Sequence, residues 1–217
     1  MGKEILKLDK KIIAPSHSEL AITNPRLIER VIKKYKPQVI LHLASANKPP
    51  QHETDPIPGL TVNITGTANL CLAAHKFKIK LVYASTDFVY SGKGPHKEEE
   101  SLYPASRFAW SKLGGECAVR MLKNYLILRL DFGSSPFPWQ KVYKNHYVSK
   151  LYVNEMAPLV LKAAKSDASG VMNLGGPRIS LEQYARKTRP DIETVPKPDW
   201  VPKDSSMDTA KMKRELK

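Results

Sequence analysis

Cysteine is almost absent from these 217 residues. Cys71 and Cys117 fall in helical patterns, without metal-ligand spacing or a nearby partner, so they read as reduced packing residues and exclude a disulfide-stapled or cysteine-ligated module. Long apolar runs are missing too. None reaches the ~18 residues that a spanning helix needs, and residues 1–11 are charged without the apolar centre of a signal peptide, so the expectation is a cytoplasmic protein with no membrane partner. Acidic residues are in short supply, 21 against 35 Lys and Arg, which leaves a formal charge of +14 and favours anionic partners. The basic residues are spread from Lys3 to Lys217, with one short cluster at Lys211, Lys213, Arg214 and Lys217. That spread is the pattern of a solvated surface, and without a recognition motif or interleaved aromatics it disfavours a nucleic-acid-binding module. His42, His52, His75, His96 and His146 show no metal spacing with one another or with carboxylates, so no metal site is expected.

What is present is alternation. Short β-branched runs at residues 11–14, 38–43, 80–85, 125–130 and 171–174 alternate with helical stretches at 3–8, 25–35, 59–77, 105–122, 148–165 and 181–187. That order predicts an α/β, Rossmann-like parallel sheet with crossover helices. The apolar continuity of Val39-Ile40-Leu41 and Leu126-Ile127-Leu128 suits strands covered on both faces. Asn24 followed by Pro25 is a helix start. Residues 1–132 are expected to form the sheet domain and 133–217 a small C-terminal lobe and tail, interleaved with the sheet through 148–174.

The chemistry concentrates in Leu81-Val82-Tyr83-Ala84-Ser85-Thr86-Asp87-Phe88-Val89-Tyr90, then Pro95-His96-Lys97-Glu98-Glu99-Glu100, then Phe108-Ala109-Trp110-Ser111-Lys112-Leu113-Gly114-Gly115-Glu116. A strand ending in Ser-Thr-Asp, a glycine loop, and a helix with an aromatic four residues before a lysine resemble the extended short-chain dehydrogenase/reductase superfamily, also described as NAD-dependent epimerases/dehydratases. The order is most similar to dTDP-4-dehydrorhamnose reductases and related sugar-nucleotide-binding proteins. Flanking stretches extend the resemblance over nearly the whole chain: Ser18 to Pro25, Lys36 to Ala44, Asn63 to Leu70, Tyr152 to Ala157 and Asp204 to Asp208.

The resemblance implies a bound NAD or NADP and a nucleotide-sugar partner. In such enzymes a tyrosine phenol exchanges a proton with the sugar oxygen while a lysine one helical turn later lowers the phenol pKa and holds the ribose. Four-residue spacing puts both on one helix face. Thr86 and Lys112 match two catalytic positions. Gly2, Ala44, Ser45, Ser85 and Lys112 match the cofactor side, and Thr86, Asp87, Phe132 and Trp139 the substrate side. The segment Pro136-Phe137-Pro138-Trp139 reads equally well as a rigid aromatic loop.

Three departures accompany the match. Phe108 stands where the tyrosine belongs and has no dissociable proton, which leaves water or Tyr103 as the remaining donor. Ala21 replaces the aspartate that usually lies beside the adenine, and Ser16 and His17 leave room for a 2′-phosphate, a slight lean to NADP. Gly2 resembles the last glycine of the family's G-x-x-G-x-x-G turn, so the preceding strand and the first two glycines have no counterpart. Because that strand lies mid-sheet in doubly wound folds, the expectation is a gap inside the sheet, with unpaired backbone groups at ~1–3 kcal/mol each. The gap would then be closed by rearrangement, filled by another chain in a homo-oligomer or hetero-complex, or explained by a misplaced start. Two functional classes follow: a catalytically impaired reductase, or a non-catalytic binding or regulatory subunit like the reductase-like regulatory subunit of methionine adenosyltransferase.

Overall fold

The computed structural model describes all 217 residues. In chain order the elements are α1 (Gly2–Leu8), α2 (Pro25–Tyr35), β1 (Val39–His42), α3 (Pro49–Thr54), a π-helix (Gly59–Gly66), α4 (Thr67–Phe77), β2 (Lys80–Ala84), α5 (Arg107–Val119) and β3 (Tyr125–Leu130). The C-terminal part adds β4 (Phe132–Gly133), β5 (Lys141–Tyr143), β6 (Tyr147–Val148), β7 (Leu151–Tyr152), α6 (Val153–Lys165), β8 (Gly170–Leu174), β9 (Ile179–Ser180), α7 (Leu181–Arg186), β10 (Glu193–Val195) and α8 (Ala210–Glu215).

The main sheet has the order β1-β2-β3-β8, and every pairing in it is parallel. Helices cover both faces. On one face α1 and α6 bring Ile5, Met156, Ala157 and Val160 against Val82, Leu126, Leu128 and Met172. On the other, Cys71 and Ala74 of α4 and Val119 of α5 meet Leu81, Tyr83 and Ile127, while Ile28 and Ile32 of α2 pack on Leu70. Burial on both faces is why these strands read as unbroken apolar runs. The start of α2 follows its sequence: Asn24 Oδ1 accepts from the Arg26 and Leu27 N–H groups at 3.0 and 3.4 Å, with Pro25 at the first position.

Residues 11–14 form no strand. Their β-branched composition suits extended backbone, but a strand is a pairing, and the segment has no strand in hydrogen-bonded register with it. The strands from β1 to β8 pair without interruption, and the space where the expectation placed a gap lies between β1 and the unpaired 11–15 segment. The stretch expected as one helix over 59–77 begins as a π-helix and becomes α-helical only at Thr67. The helix expected over 148–165 starts later, at Val153, because Tyr147–Val148 and Leu151–Tyr152 pair as short strands with β9 and β4. In the C-terminal lobe, Phe137, Val142, Tyr152, Tyr184, Ala185 and Ile192 form a separate small core.

Beyond β1 lies a groove of about 930 Å³, bounded by α1, the 11–15 segment, α2 and α6. No helix is long and apolar enough to cross a membrane.

Candidate active site

The end of β2 and one face of α5 build the site. Ser106 caps α5, its Oγ accepting from the Ala109 N–H at 3.2 Å. Phe108, Lys112 and Glu116 then recur every four residues and are all buried, as one helix face requires. Gly115 lets that face close on β2, since any side chain there would run into the Tyr83 ring and hydroxyl.

Lys112 is only 4% exposed and has no carboxylate within ion-pair distance; its Nζ lies 4.3 Å from the centre of the Tyr83 ring. Burial drives its pKa down to about 7, and Glu116 offsets part of the shift. His42, whose Nε2 lies 2.9 Å from Thr67 Oγ1, is pushed down to about 3 by burial and by Lys112. The Lys112 ammonium is thus held in a place that disfavours its charge.

Its removal is expected to show in the pH dependence of stability. The folded pKa of about 7 lies below the ordinary 10.5, so between these values the unfolded chain binds more protons. Stability rises with pH across that window, and the penalty is fully present below it. Lys112→Met should therefore raise the melting temperature clearly at about pH 6 and hardly at all at about pH 10. Equal shifts at both values in a pH series of thermal melts would contradict this account of Lys112.

Ser85 is already engaged. Its hydroxyl donates to Glu116 Oε1 at 2.5 Å, and the same carboxylate accepts from Arg129 Nε at 3.0 Å and Nη2 at 2.8 Å. Arg129 Nη1 completes the network by donating to the Tyr90 hydroxyl at 2.8 Å and the Glu98 carbonyl at 3.1 Å. Thr86 Oγ1 donates to Asp87 Oδ1 at 3.1 Å and accepts from the Phe88 N–H at 3.3 Å. Asp87 is fully buried, its Oδ2 has no partner, and burial together with Asp131 raises its pKa, which favours the neutral acid. Phe108 meets His52 edge-on, ring centres 5.5 Å apart.

The remaining sequence candidates lie apart. Gly2 and the exposed Ala44 line the groove beyond β1. Ser45 donates to Asn63 Oδ1 at 3.2 Å and lines a second pocket of about 220 Å³ with Ala46, Lys48, Gln51 and His52. Phe132 is half-buried in β4, paired with β7, and Trp139 is 61% exposed with its ring edge-on to Phe137.

Asn63 was missed by sequence reasoning. From the π-helix it accepts the Ala46 N–H at 2.8 Å and donates to Ser111 Oγ at 2.8 Å, tying the loop after β1 to α5. Its signal was a lone amide in the apolar run Val62-Asn63-Ile64. Glu116 and Arg129 were missed as well, although an arginine inside Tyr125-Leu126-Ile127-Leu128-Arg129-Leu130 implies a buried partner.

These residues do not fit a whole dinucleotide. The pocket at Ser45 is smaller than the ~300 Å³ at which ligand pockets begin. The groove beside Gly2 is larger but is lined mainly by hydrophobic residues, and the Ser85 hydroxyl is spent on Glu116.

Comparisons with known proteins point to one family. The chain is 29% identical over 190 residues to a dTDP-4-dehydrorhamnose reductase of Aggregatibacter actinomycetemcomitans, a match covering 83% of this chain and 60% of that protein. It is 30% identical over 106 residues to methionine adenosyltransferase 2 subunit beta of Xenopus laevis, covering 48% of this chain and 32% of the relative. The chain thus spans less than two thirds of the length of either. The solved structure of a Bacillus anthracis dTDP-4-dehydrorhamnose reductase in complex with NADP superposes with a TM-score of 0.86 over 98% of this chain and 88% of that one, at 22% identity, which shows the shared Rossmann-like fold. Residues 1–136 match the family described as the RmlD substrate binding domain, and since that is more than half of the sequence, the chain belongs to this family.

Proposed function

We propose that this chain is a nucleotide-sugar oxidoreductase-type protein, dTDP-4-dehydrorhamnose reductase-like and NAD(P)-linked by descent, whose own turnover is impaired. The observation that carries the impairment is Phe108, buried on the face of α5 that holds Lys112 and unable to donate a proton. In this reading residues 1–132 are the cofactor-side domain and 133–217 the substrate lobe, with Thr86, Asp87, Phe132 and Trp139 on the sugar-nucleotide side. A cytoplasmic location belongs to the same reading, as does association with another copy or chain at the open β1 edge, which sizing chromatography tests.

A second reading, a non-catalytic binding or regulatory subunit, is favoured by the same Phe108, by the engaged Ser85 hydroxyl and by the likeness to a methionine adenosyltransferase subunit.

Calorimetric titration of the chain with NADPH and with NADH is expected to give no saturable binding in the micromolar range. Micromolar binding would show that a phosphate cradle forms from residues other than those assigned here. Titration with a dTDP-sugar then separates the readings: binding with slow NADPH-dependent reduction supports the impaired enzyme, and binding without any reduction supports the subunit.

A further inference from the structure

Lys112 is the one buried lysine of the chain. Partly covered lysines elsewhere have their ammonium groups engaged: Lys80 donates to the Ser166 carbonyl at 2.6 Å, Lys150 pairs with Asp131, and Lys211 donates to the Val171 carbonyl at 2.7 Å. The Lys112 amine makes no hydrogen bond and lies over the face of the Tyr83 ring. It is nevertheless open to solvent at its tip. The fully enclosed side-chain atoms left without a partner are His52 Nδ1, Asp87 Oδ2 and His146 Nδ1. Lys112 Nζ also lacks a partner and is not one of them, so it meets solvent.

No neighbouring group restores its charge. Glu116, one helical turn on, is held by Arg129 at 2.8 Å and by the Ser85 hydroxyl. Tyr83 donates its hydroxyl proton to the Lys112 carbonyl at 3.2 Å, and burial raises the phenol pKa, so the ring is no counter-ion. The His42 ring, 5.2 Å from that of Tyr83, is neutral with a pKa pushed down to about 3. Phe108, one turn before Lys112, adds only an apolar ring. A desolvated lysine without a counter-ion gives up its proton readily, and the free amine is a nucleophile towards carbonyl carbon. At a pKa of about 7, about half of Lys112 is free amine at neutral pH, against roughly 3 in 10⁴ of an ordinary lysine.

We propose that Lys112 is a reactive nucleophile that forms an imine with a small aldehyde. The nitrogen lone pair attacks the carbonyl carbon, a C–N bond forms, and the carbonyl oxygen leaves as water with the two amine protons, which gives C=N. No oxidant or reductant takes part. Since Lys112 is only 4% exposed, a small carbonyl compound suits the opening. This reactivity goes beyond the oxidoreductase reading and does not depend on it, because a chain that binds no nicotinamide still carries the amine.

The probe is acetaldehyde with sodium cyanoborohydride, which traps the imine as a stable secondary amine by adding hydride to its carbon. Peptide mass spectrometry of the full chain then follows the ethylation of each lysine with time. At about pH 7, Lys112 is expected to react at least tenfold faster than any other lysine, because its roughly 10³-fold advantage in free amine outweighs the lower nucleophilicity of a weaker base. The lead should vanish at about pH 10, where ordinary lysines also lose protons. It should vanish as well at about pH 7 in guanidinium chloride, where the unfolded chain gives Lys112 an ordinary pKa. Ethylation of Lys112 no faster than that of the surface lysines at about pH 7 would overturn the proposal. So would a lead that persists in guanidinium chloride or at about pH 10, since neither the fold nor the charge state would then be its cause.

Discussion

Phe108→Tyr alone is expected to leave reduction of a dTDP-4-keto sugar at background. The substitution supplies a phenol one turn before Lys112, but a proton donor achieves nothing without a bound nicotinamide. An engineered extension before Met1 that adds an apolar strand and a glycine turn should alone restore cofactor binding, through backbone amides at the turn, with little turnover. The two changes together should exceed the extension alone by about 10²- to 10⁴-fold, the usual contribution of a general acid. Such non-additivity is the mark of groups that act as a unit. NADPH absorbance followed across the four proteins makes the comparison. Comparable rates in the unmodified chain would mean that Phe108 has been given the wrong role, and Tyr103 would become the donor to replace.

The second large effect concerns stability. Arg129 and Glu116 are both fully buried and paired, with Ser85, Tyr90 and the Glu98 carbonyl satisfying what remains of them. Arg129→Met leaves the Glu116 carboxylate uncompensated, and breaking a buried pair from one side typically costs about 3–5 kcal/mol. A domain of ordinary stability, ~5–15 kcal/mol, would lose a large part of it. Arg129→Met with Glu116→Leu should lose much less than the sum of the single changes, because no charge is then stranded. Urea denaturation of the three variants measures both. A single substitution costing under about 1 kcal/mol would mean that water reaches the pair.

The sheet was legible because strands buried on both faces carry their own signal: the runs expected at 80–85, 125–130 and 171–174 differ from β2, β3 and β8 by a residue at most. Residues 11–14 carry the same composition and form no strand, because pairing depends on a neighbour and composition records only local preference. The π-helix was invisible because its pattern runs on into α4, and Gly66, a lone glycine inside a helical pattern, does not tell wide winding from ordinary winding. At the site, the spacing of Phe108, Lys112 and Glu116 gave a shared helix face. That Ser85 would be turned towards Glu116 was not legible, because the deciding partner, Arg129, arrives from another strand. The expected gap has its place between β1 and the 11–15 segment, and that segment, lacking a partner, forms no strand of its own.

The π-helical turn also constrains how this chain can vary in length. Gly59–Gly66 winds wider than the α-helix that follows, so it holds one more residue than an α-helix of equal span. Deleting a single residue there would let it wind as ordinary α-helix over the same span, so Thr67 and Leu70 keep their faces towards His42 and α2, while Asn63, inside the wide turn, is carried off the loop after β1. One residue of length can thus be lost within this segment with α4 still in place, but the contacts of Asn63 go with it.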